Sequence, residues 1–338
     1  RTGVANNRCG DRRSFHRTPL QRFCCTCSLH TGGRLMPADR SPGMDHPHYR
    51  YSPIPTRPKL IWPGEKPLAV GALVLLEHYE WNPPPDAYSL RNASGGLIKL
   101  PAPDYVQLTH REYGHRVGIF RLLDTLERHG VPVTVAVDAL TATNYPWLMK
   151  HIAERNCEVV GHGFSASRLI TSKMDDNVEM EVITESLDAL EEATGIRPAG
   201  WFSPEGVESS RTPQLLASAG IKYVCDWPND EQPYTMTTTS GNLTSLPLFL
   251  EIDDEFALWH RRASLSSWEN MIVSAAYRLH RDGLHSARHM MFTLRPWLTG
   301  QPFRIRALDR ALTQIMRMDG LWPVTGGDLV AAFNSVDR

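Results

Sequence analysis

Several side chains able to move protons or carry a fixed charge stand just past the ends of apolar segments: Glu77 and His78, His162, Glu205, Asp226 and Asp230, Glu251, and Arg295. A carboxylate beside a neutral imidazole can take a proton from water, most effectively when its pKa lies near working pH. Two imidazoles and a carboxylate can instead hold a divalent metal with one position open for water. An arginine adds a permanent positive charge for an anion or a developing oxyanion. The set suits attack of water on a carbonyl. Glu77, His162, Asp230 and Arg295 are the catalytic candidates, and His78 with His162 the candidate metal ligands. Glu80, Trp201, Glu205, Asp226 and Trp227, at the same segment ends, are candidate substrate contacts. Each has a plainer alternative. Glu77 and His78 could form a solvated strand end, His162 between two glycines could be a turn residue, and Asp226 could cap the loop before Pro228. The acidic run Glu251, Asp253, Asp254 and Glu255 reads as a solvated loop. Arg295 could simply pair with one of the carboxylates.

The elements that would position these residues alternate between strand and helix. The first strand is expected at Leu68–Glu77, where Ala69–Leu76 is a continuous apolar run of the kind found in a strand buried on both faces. Further strands are expected at Val131–Val137, Cys157–Val160, Pro198–Phe202, Ile221–Cys225, Leu243–Leu250, Met290–Leu294 and Leu321–Val324. Helices are expected at His115–His129, Leu140–Arg155 with Pro146 starting its regular part, and a long one capped by Asp175 and Asp176 and ended by Gly195. Others fall at Thr212–Ala219, Ser267–Arg281, Ile305–Met316 and Asp328–Phe333. Seven or eight short strands separated by helices give an α/β fold with a parallel sheet, closed or partly closed into a (β/α) barrel. In a barrel the strand ends converge on one face, which gathers residues far apart in sequence. The proline-rich stretch Pro53–Pro67 reads as an extended arm, and residues 82–104 as a long loop above the first strand's end.

The chain has 338 residues, 41% of them hydrophobic and 22% charged, with a formal net charge of -1. That balance gives no electrostatic case for nucleic acid or an anionic membrane as partner, and no apolar run reaches the ~18 residues of a membrane span. Residues 1–43 hold Cys9, Cys24, Cys25 and Cys27 without the paired spacing of a zinc site. Arg12-Arg13-Ser14-Phe15 has the twin arginines of an export signal but no uninterrupted apolar run behind them. Residues 1–45 are therefore expected to be a disordered extension, with a start at Met36 or Met44 as an alternative, and 46–338 a single barrel domain. Cys157 and Cys225 lie in apolar strands and read as buried thiols, so a reducing cytoplasm is the expected location. No nucleophile elbow, phosphate loop or dinucleotide fingerprint occurs.

Over Tyr51 to Phe333 the chain resembles the polysaccharide deacetylase family, in the branch close to metal-independent allantoinases and cyclic imide hydrolases. The resemblance rests on Glu77-His78-Tyr79-Glu80, Tyr113-Gly114-His115-Arg116-Val117-Gly118, Gly161-His162-Gly163 and Gly200-Trp201. Tyr223-Val224-Cys225-Asp226-Trp227, Asp230-Glu231-Gln232-Pro233-Tyr234 and Gly300-Gln301-Pro302-Phe303-Arg304-Ile305 extend it. It implies a distorted (β/α) barrel that hydrolyses an amide C–N bond. By position it implies that Glu77 is the base, His78 a ligand and His162 the first ligand histidine. The second ligand histidine of the metal-using members would fall at Ala166, which binds nothing, and their general-acid histidine at Arg295, which stays charged to roughly pH 12. A zinc site would thus need a third group such as Glu205 or Asp230, and the alternative is water activated by Glu77 without metal.

The expected function is hydrolysis of a non-peptide C–N bond in a small, possibly cyclic, amide or N-acyl compound, by a cytoplasmic enzyme that can form a homo-oligomer. A barrel that binds a ligand without turnover is the alternative, and polysaccharide N-deacetylation a third.

Overall fold

The computed structural model describes residues 44–85, 87–88 and 103–335, all within the compact unit Arg40–Arg338. The expectations for residues 1–43, including their four cysteines, lie outside the described residues, as does part of the loop after the first strand.

In chain order the elements are β1 (Leu68–Leu76), α1 (Tyr105–Tyr113), α2 (Ile119–Arg128), β2 (Val133–Val137), α3 (Ala139–Asn144), α4 (Pro146–Glu154), β3 (Glu158–Gly161) and α5 (Asp176–Thr194). There follow β4 (Gly200–Trp201), α6 (Thr212–Ser218), β5 (Tyr223–Val224), β6 (Tyr234–Met236), β7 (Leu243–Ser245), α7 (Leu265–Gly283), β8 (Arg288–Leu294), α8 (Ile305–Ile315), β9 (Leu321–Pro323) and α9 (Gly326–Ser335). The strands form one curled sheet in the order β6-β7-β5-β4-β3-β2-β1-β8, with β9 also paired to β1. Every pairing is parallel except the β6–β7 hairpin. This is the distorted (β/α) barrel expected from the alternation of elements. Its edges meet without a ladder: His289 bonds the Pro247 carbonyl at 2.7 Å through its ring and the Glu231 carbonyl at 3.4 Å through its backbone N–H, and Arg288 pairs with Glu231 at 3.0 Å.

Alternation along β1 decides what faces the inside. Leu68, Val70, Ala72, Val74 and Leu76 pack outward against the helices with Val135, Met290 and Phe292. Ala69, Leu73 and Leu75 pack inward with Ala136, Val160, Cys225 and Met291. Successive strand side chains point to opposite faces, so the residue after Leu76 on the inner side is Glu77. The same count carries Val160 to His162 and Met291 to Arg295.

Three differences from the expected elements have local causes. The expected helix at His115 instead begins at Tyr105, capped by Asp104, and continues through a π turn at Gly114–Gly118. Its glycines are contact positions: a Cβ on Gly118 would lie 2.0 Å from the Pro296 carbonyl oxygen, and one on Gly114 2.9 Å from the Trp297 nitrogen. The helix thereby seats against the turn that carries Arg295. The expected helix Leu140–Arg155 is two helices, because Pro146 cannot supply the N–H that would continue the first. The strand β6 was not expected, since its three residues are too short for a periodic signal.

The arm before β1 is extended, as its prolines require. Trp62 donates to the Arg288 carbonyl at 2.6 Å, and Arg57 grips Asp230 with two nitrogens. Among the described residues no helix is long and apolar enough to cross a membrane.

Candidate active site

Glu77, His162 and Arg295 meet at the carboxyl-terminal mouth of the barrel. Glu77 Oε1 lies 3.7 Å from His162 Nε2, and Glu77 Oε2 lies 3.5 Å from Arg295 Nε. The three residues come from β1, β3 and β8 and are 4%, 0% and 5% exposed. His162 Nδ1 is 2.6 Å from the Phe202 carbonyl, which only accepts, so Nδ1 carries a proton; the ring stacks on Phe202 at 5.4 Å. That leaves Nε2 facing the Glu77 carboxylate.

Arg295 is saturated with carboxylates. Its Nη1 reaches Asp253 at 2.9 Å and Asp254 at 3.4 Å, while its Nε lies 2.5 Å from Glu255 Oε2. The acidic run is therefore not the solvated loop expected: Asp253, Asp254 and Glu255 are buried around the guanidinium, and only Glu251 is exposed. An uncompensated buried cation is costly, and the run supplies the compensation. Arg111 closes the far side, 3.3 Å from Glu255 and lying over the Trp297 ring at 3.4 Å.

These fields set the protonation states. Burial alone would raise Glu77, but Arg295 and His162 overcome it and hold the carboxyl down at about 2. Burial alone would lower His162, yet the Glu77 carboxylate raises it above the ordinary histidine value. Glu205 moves the other way: burial, then the neighbouring Glu255 and Glu77 charges, push it up to about 7. Glu205 also sits at φ 56°, a left-handed conformation unusual for a side chain other than glycine. Such strain persists where the surroundings enforce it, often at functional sites. Tyr79 donates to its Oε1 at 3.4 Å.

A cavity of about 450 Å³ opens at this mouth, walled by Phe202, Glu205, Asp226, Asp253, Glu255 and Arg295 among others. Glu77 and His162 do not themselves line it and lie beneath. Glu77 Oε2 and His162 Nε2 make no closer contact than the ion pairs at 3.5 and 3.7 Å with Arg295 and with Glu77 Oε1, and form no hydrogen bond within the protein. Buried polar atoms are nearly always satisfied, so two such atoms together mark a place for reactive chemistry.

Other candidates belong elsewhere. Asp230 is a structural clamp, held by Arg57 and by the backbone N–H groups of Glu231 and Gln232, and is not a catalytic group of this cavity. Trp201 is fully buried in an outer cluster with Leu187 and Leu216, where the missing Cβ of Gly161 makes room for it. Trp227 packs on His48 and Tyr49. Glu80 is tied to Arg168 and Ser165. None of these three lines the cavity; of the five proposed substrate contacts, Glu205 and Asp226 do. Asp226 accepts from the Ser203 N–H at 2.7 Å and shares its other side with Glu208, whose carboxyl burial and Asp226 push up to about 11.

The expected metal pair is not formed. His78 turns to the side of Tyr145, whose ring is 6.0 Å away, while His162 engages Phe202 and Glu77. Ala166, at the position of the second ligand histidine, is buried with its N–H on the His78 carbonyl. Among the described residues no three His, Cys, Asp or Glu side chains are grouped to hold a metal ion. The donor set does not fit a zinc site of the implied kind.

Sequence reasoning missed Asp138 and Arg111. Asp138 stands just past β2 and binds the N–H groups of His78 and Thr141, fixing the turn that aims Glu77; burial pushes it up to about 7. It obeys the same strand-end rule as the others. Arg111 lies inside a helix and carries no comparable signal.

Residues 105–224 match the family model described as polysaccharide deacetylase. A Schizosaccharomyces pombe protein assigned as a polysaccharide deacetylase is 24% identical over 84% of this chain and 94% of its own length. The crystal structure of PuuE allantoinase superposes with a TM-score of 0.75 at 20% identity, covering 83% of this chain and 94% of the other. A Pseudomonas aeruginosa PAO1 protein assigned as a polysaccharide deacetylase gives 0.74 at 22% identity, over 82% and 94%. At these identities the superpositions establish the fold. Residues 105–224 thus match the polysaccharide deacetylase model, and over most of its length the chain is similar to proteins assigned to that family.

Proposed function

We propose that the protein is a hydrolase of non-peptide C–N bonds that acts on a small amide or N-acyl compound in the cytoplasm. The carrying observation is the convergence of Glu77 and His162, beneath the cavity floor, on Arg295, which lines the cavity together with Glu205. Two carboxyl groups with pKa values pushed apart are the usual basis for assigning base and acid. Glu77, ionised at any ordinary pH, takes the proton from water through its unbonded Oε2. His162 holds Oε1, so the carboxylate cannot turn away. Arg295 fixes the opposite edge and opposes the negative charge that builds on the attacked carbonyl oxygen. Glu205, protonated about half the time at neutral pH, delivers the proton that the leaving nitrogen needs. This supplies the donor that an arginine at position 295 cannot.

The test is release of amine from a panel of hydantoins, cyclic imides and N-acetyl amines, followed by mass spectrometry. Turnover of at least one member that is lost in Glu205→Gln supports the proposal; no turnover of any member counts against it. Binding without turnover is the second reading, favoured by one observation: Glu77 and His162 lie under the cavity floor, with Arg295 wholly engaged. It predicts that a panel member binds to the protein and is recovered intact.

A further inference from the structure

Glu205 lines the cavity in a conformation that its own backbone resists. It and Gly206 are consecutive left-handed residues, at φ 56° and 63°, in the turn Pro204–Gly206. Glycine adopts that conformation freely and glutamate does not, so the surroundings of the turn must enforce it. The near end is fixed three ways. The Ser203 N–H donates to Asp226 Oδ1 at 2.7 Å, and Trp201 Nε1 donates to Ser203 Oγ at 2.9 Å. Pro204 fills the space beside Gly163, where a Cβ would lie 2.7 Å from its ring. The far end returns to the same strand end through Glu208. Its Oε2 accepts from Trp227 Nε1 at 2.9 Å, and its carboxyl meets that of Asp226. Glu208 Oε1 and Asp226 Oδ2 receive no N–H or hydroxyl from other described residues. Two buried carboxyl groups in contact do not both stay ionised, so the pair holds one proton between them. Ser209, the next residue, is tied elsewhere, donating to Glu179 of α5 at 2.8 Å. The hydrogen bonds that join this end of the turn to the end of β5 are therefore those of Glu208.

We propose that Glu208 is a positioning residue: its carboxyl closes the turn onto Asp226 and Trp227 and thereby holds Glu205 against the cavity. The use of Glu205 as proton donor rests on the hydrolase reading, whereas the positioning does not. Loosening the turn returns Glu205 toward water. Burial is the largest cause of its raised value, so that value then falls toward an ordinary carboxyl.

The test is an NMR pH titration of the full chain labelled with carbon-13 at the glutamate carboxyls, with Glu205→Gln and Glu208→Gln marking the two resonances. In the wild type Glu205 should titrate at about 7, and Glu208 should stay protonated through neutral pH. Glu208→Gln keeps an N–H for Asp226 and an oxygen for Trp227, so it should leave the Glu205 midpoint in place. Glu208→Ala should lower that midpoint by about one pH unit or more. Trp227→Phe removes one of the hydrogen bonds to Glu208 and should lower it by less, which decides the matter if the alanine variant does not fold. On any substrate the panel yields, Glu208→Ala should reduce kcat about tenfold with KM little changed, and its alkaline decline should move down with the midpoint. An unmoved Glu205 midpoint, a glutamine variant that behaves like alanine, or a Glu208 ionised at neutral pH overturns the proposal. The titration needs no turnover, so failure of the hydrolase reading leaves its result interpretable by itself.

Discussion

Replacing Glu205 by Gln removes the proton donor while keeping size and hydrogen-bonding shape. Glu205 titrates near 7 and Glu77 near 2. Between pH 6 and 8 Glu77 stays ionised while the protonated share of Glu205 falls about tenfold. The wild-type kcat should therefore decline about tenfold over that range, with no acidic limb until well below pH 4. A positioned general acid contributes ~10²–10⁴ in rate, about 3–5 kcal/mol of barrier. Glu205→Gln should lose that much of kcat at pH 6, with KM moving little, and its remaining rate should be flat through pH 7. The assay is initial-rate amine release from the best panel member at half-unit pH steps. A variant that keeps its kcat, or that keeps the alkaline decline, refutes the assignment: the titrating group would then lie elsewhere.

Arg295→Met should cost about 3–5 kcal/mol of stability, because it leaves Glu77, Asp253 and Glu255 buried without their shared cation; chemical denaturation reads this as an earlier midpoint. Stability should also depend on pH in a defined direction. Asp138, Glu205 and Asp254 all have folded values of about 7, above their unfolded carboxyl values, so the folded state holds protons the unfolded state releases. Their contribution is full below the unfolded values and is lost as pH rises through 7, so Tm should fall between pH 5 and 8; a rise would contradict the burial described. Glu77 has the opposite sign, losing its contribution only as pH falls toward 2. Added zinc should neither raise turnover nor bind stoichiometrically by elemental analysis, because Ala166 and the turned-away His78 leave His162 without a second ligand histidine.

The barrel was legible because burial on both faces leaves strands such as Leu68–Leu76 as unbroken apolar runs. Strand parity carries that information one step further, from Leu75 to Glu77 and from Met291 to Arg295. What sequence could not convey was pairing. Asp230 stands at an apolar segment's end like Glu77, and only the arm residue Arg57, 173 positions earlier, makes it a clamp. The acidic run around Asp254 has the composition of a solvated loop until Arg295 arrives from the last long strand. Trp201 and Trp227 lie near the mouth in sequence, but alternation turns the first outward and the aromatic arm covers the second. His78 illustrates the same point: one residue from Glu77, it faces the other way.

The most direct measurement is turnover of the hydantoin, imide and N-acetyl amine panel by Glu77→Gln beside the wild type, with folding checked by circular dichroism. The account predicts a loss of at least ~100-fold in kcat at every pH with the fold intact, as removal of a general base requires. A correctly folded Glu77→Gln protein that turns over a wild-type substrate at the wild-type rate contradicts it.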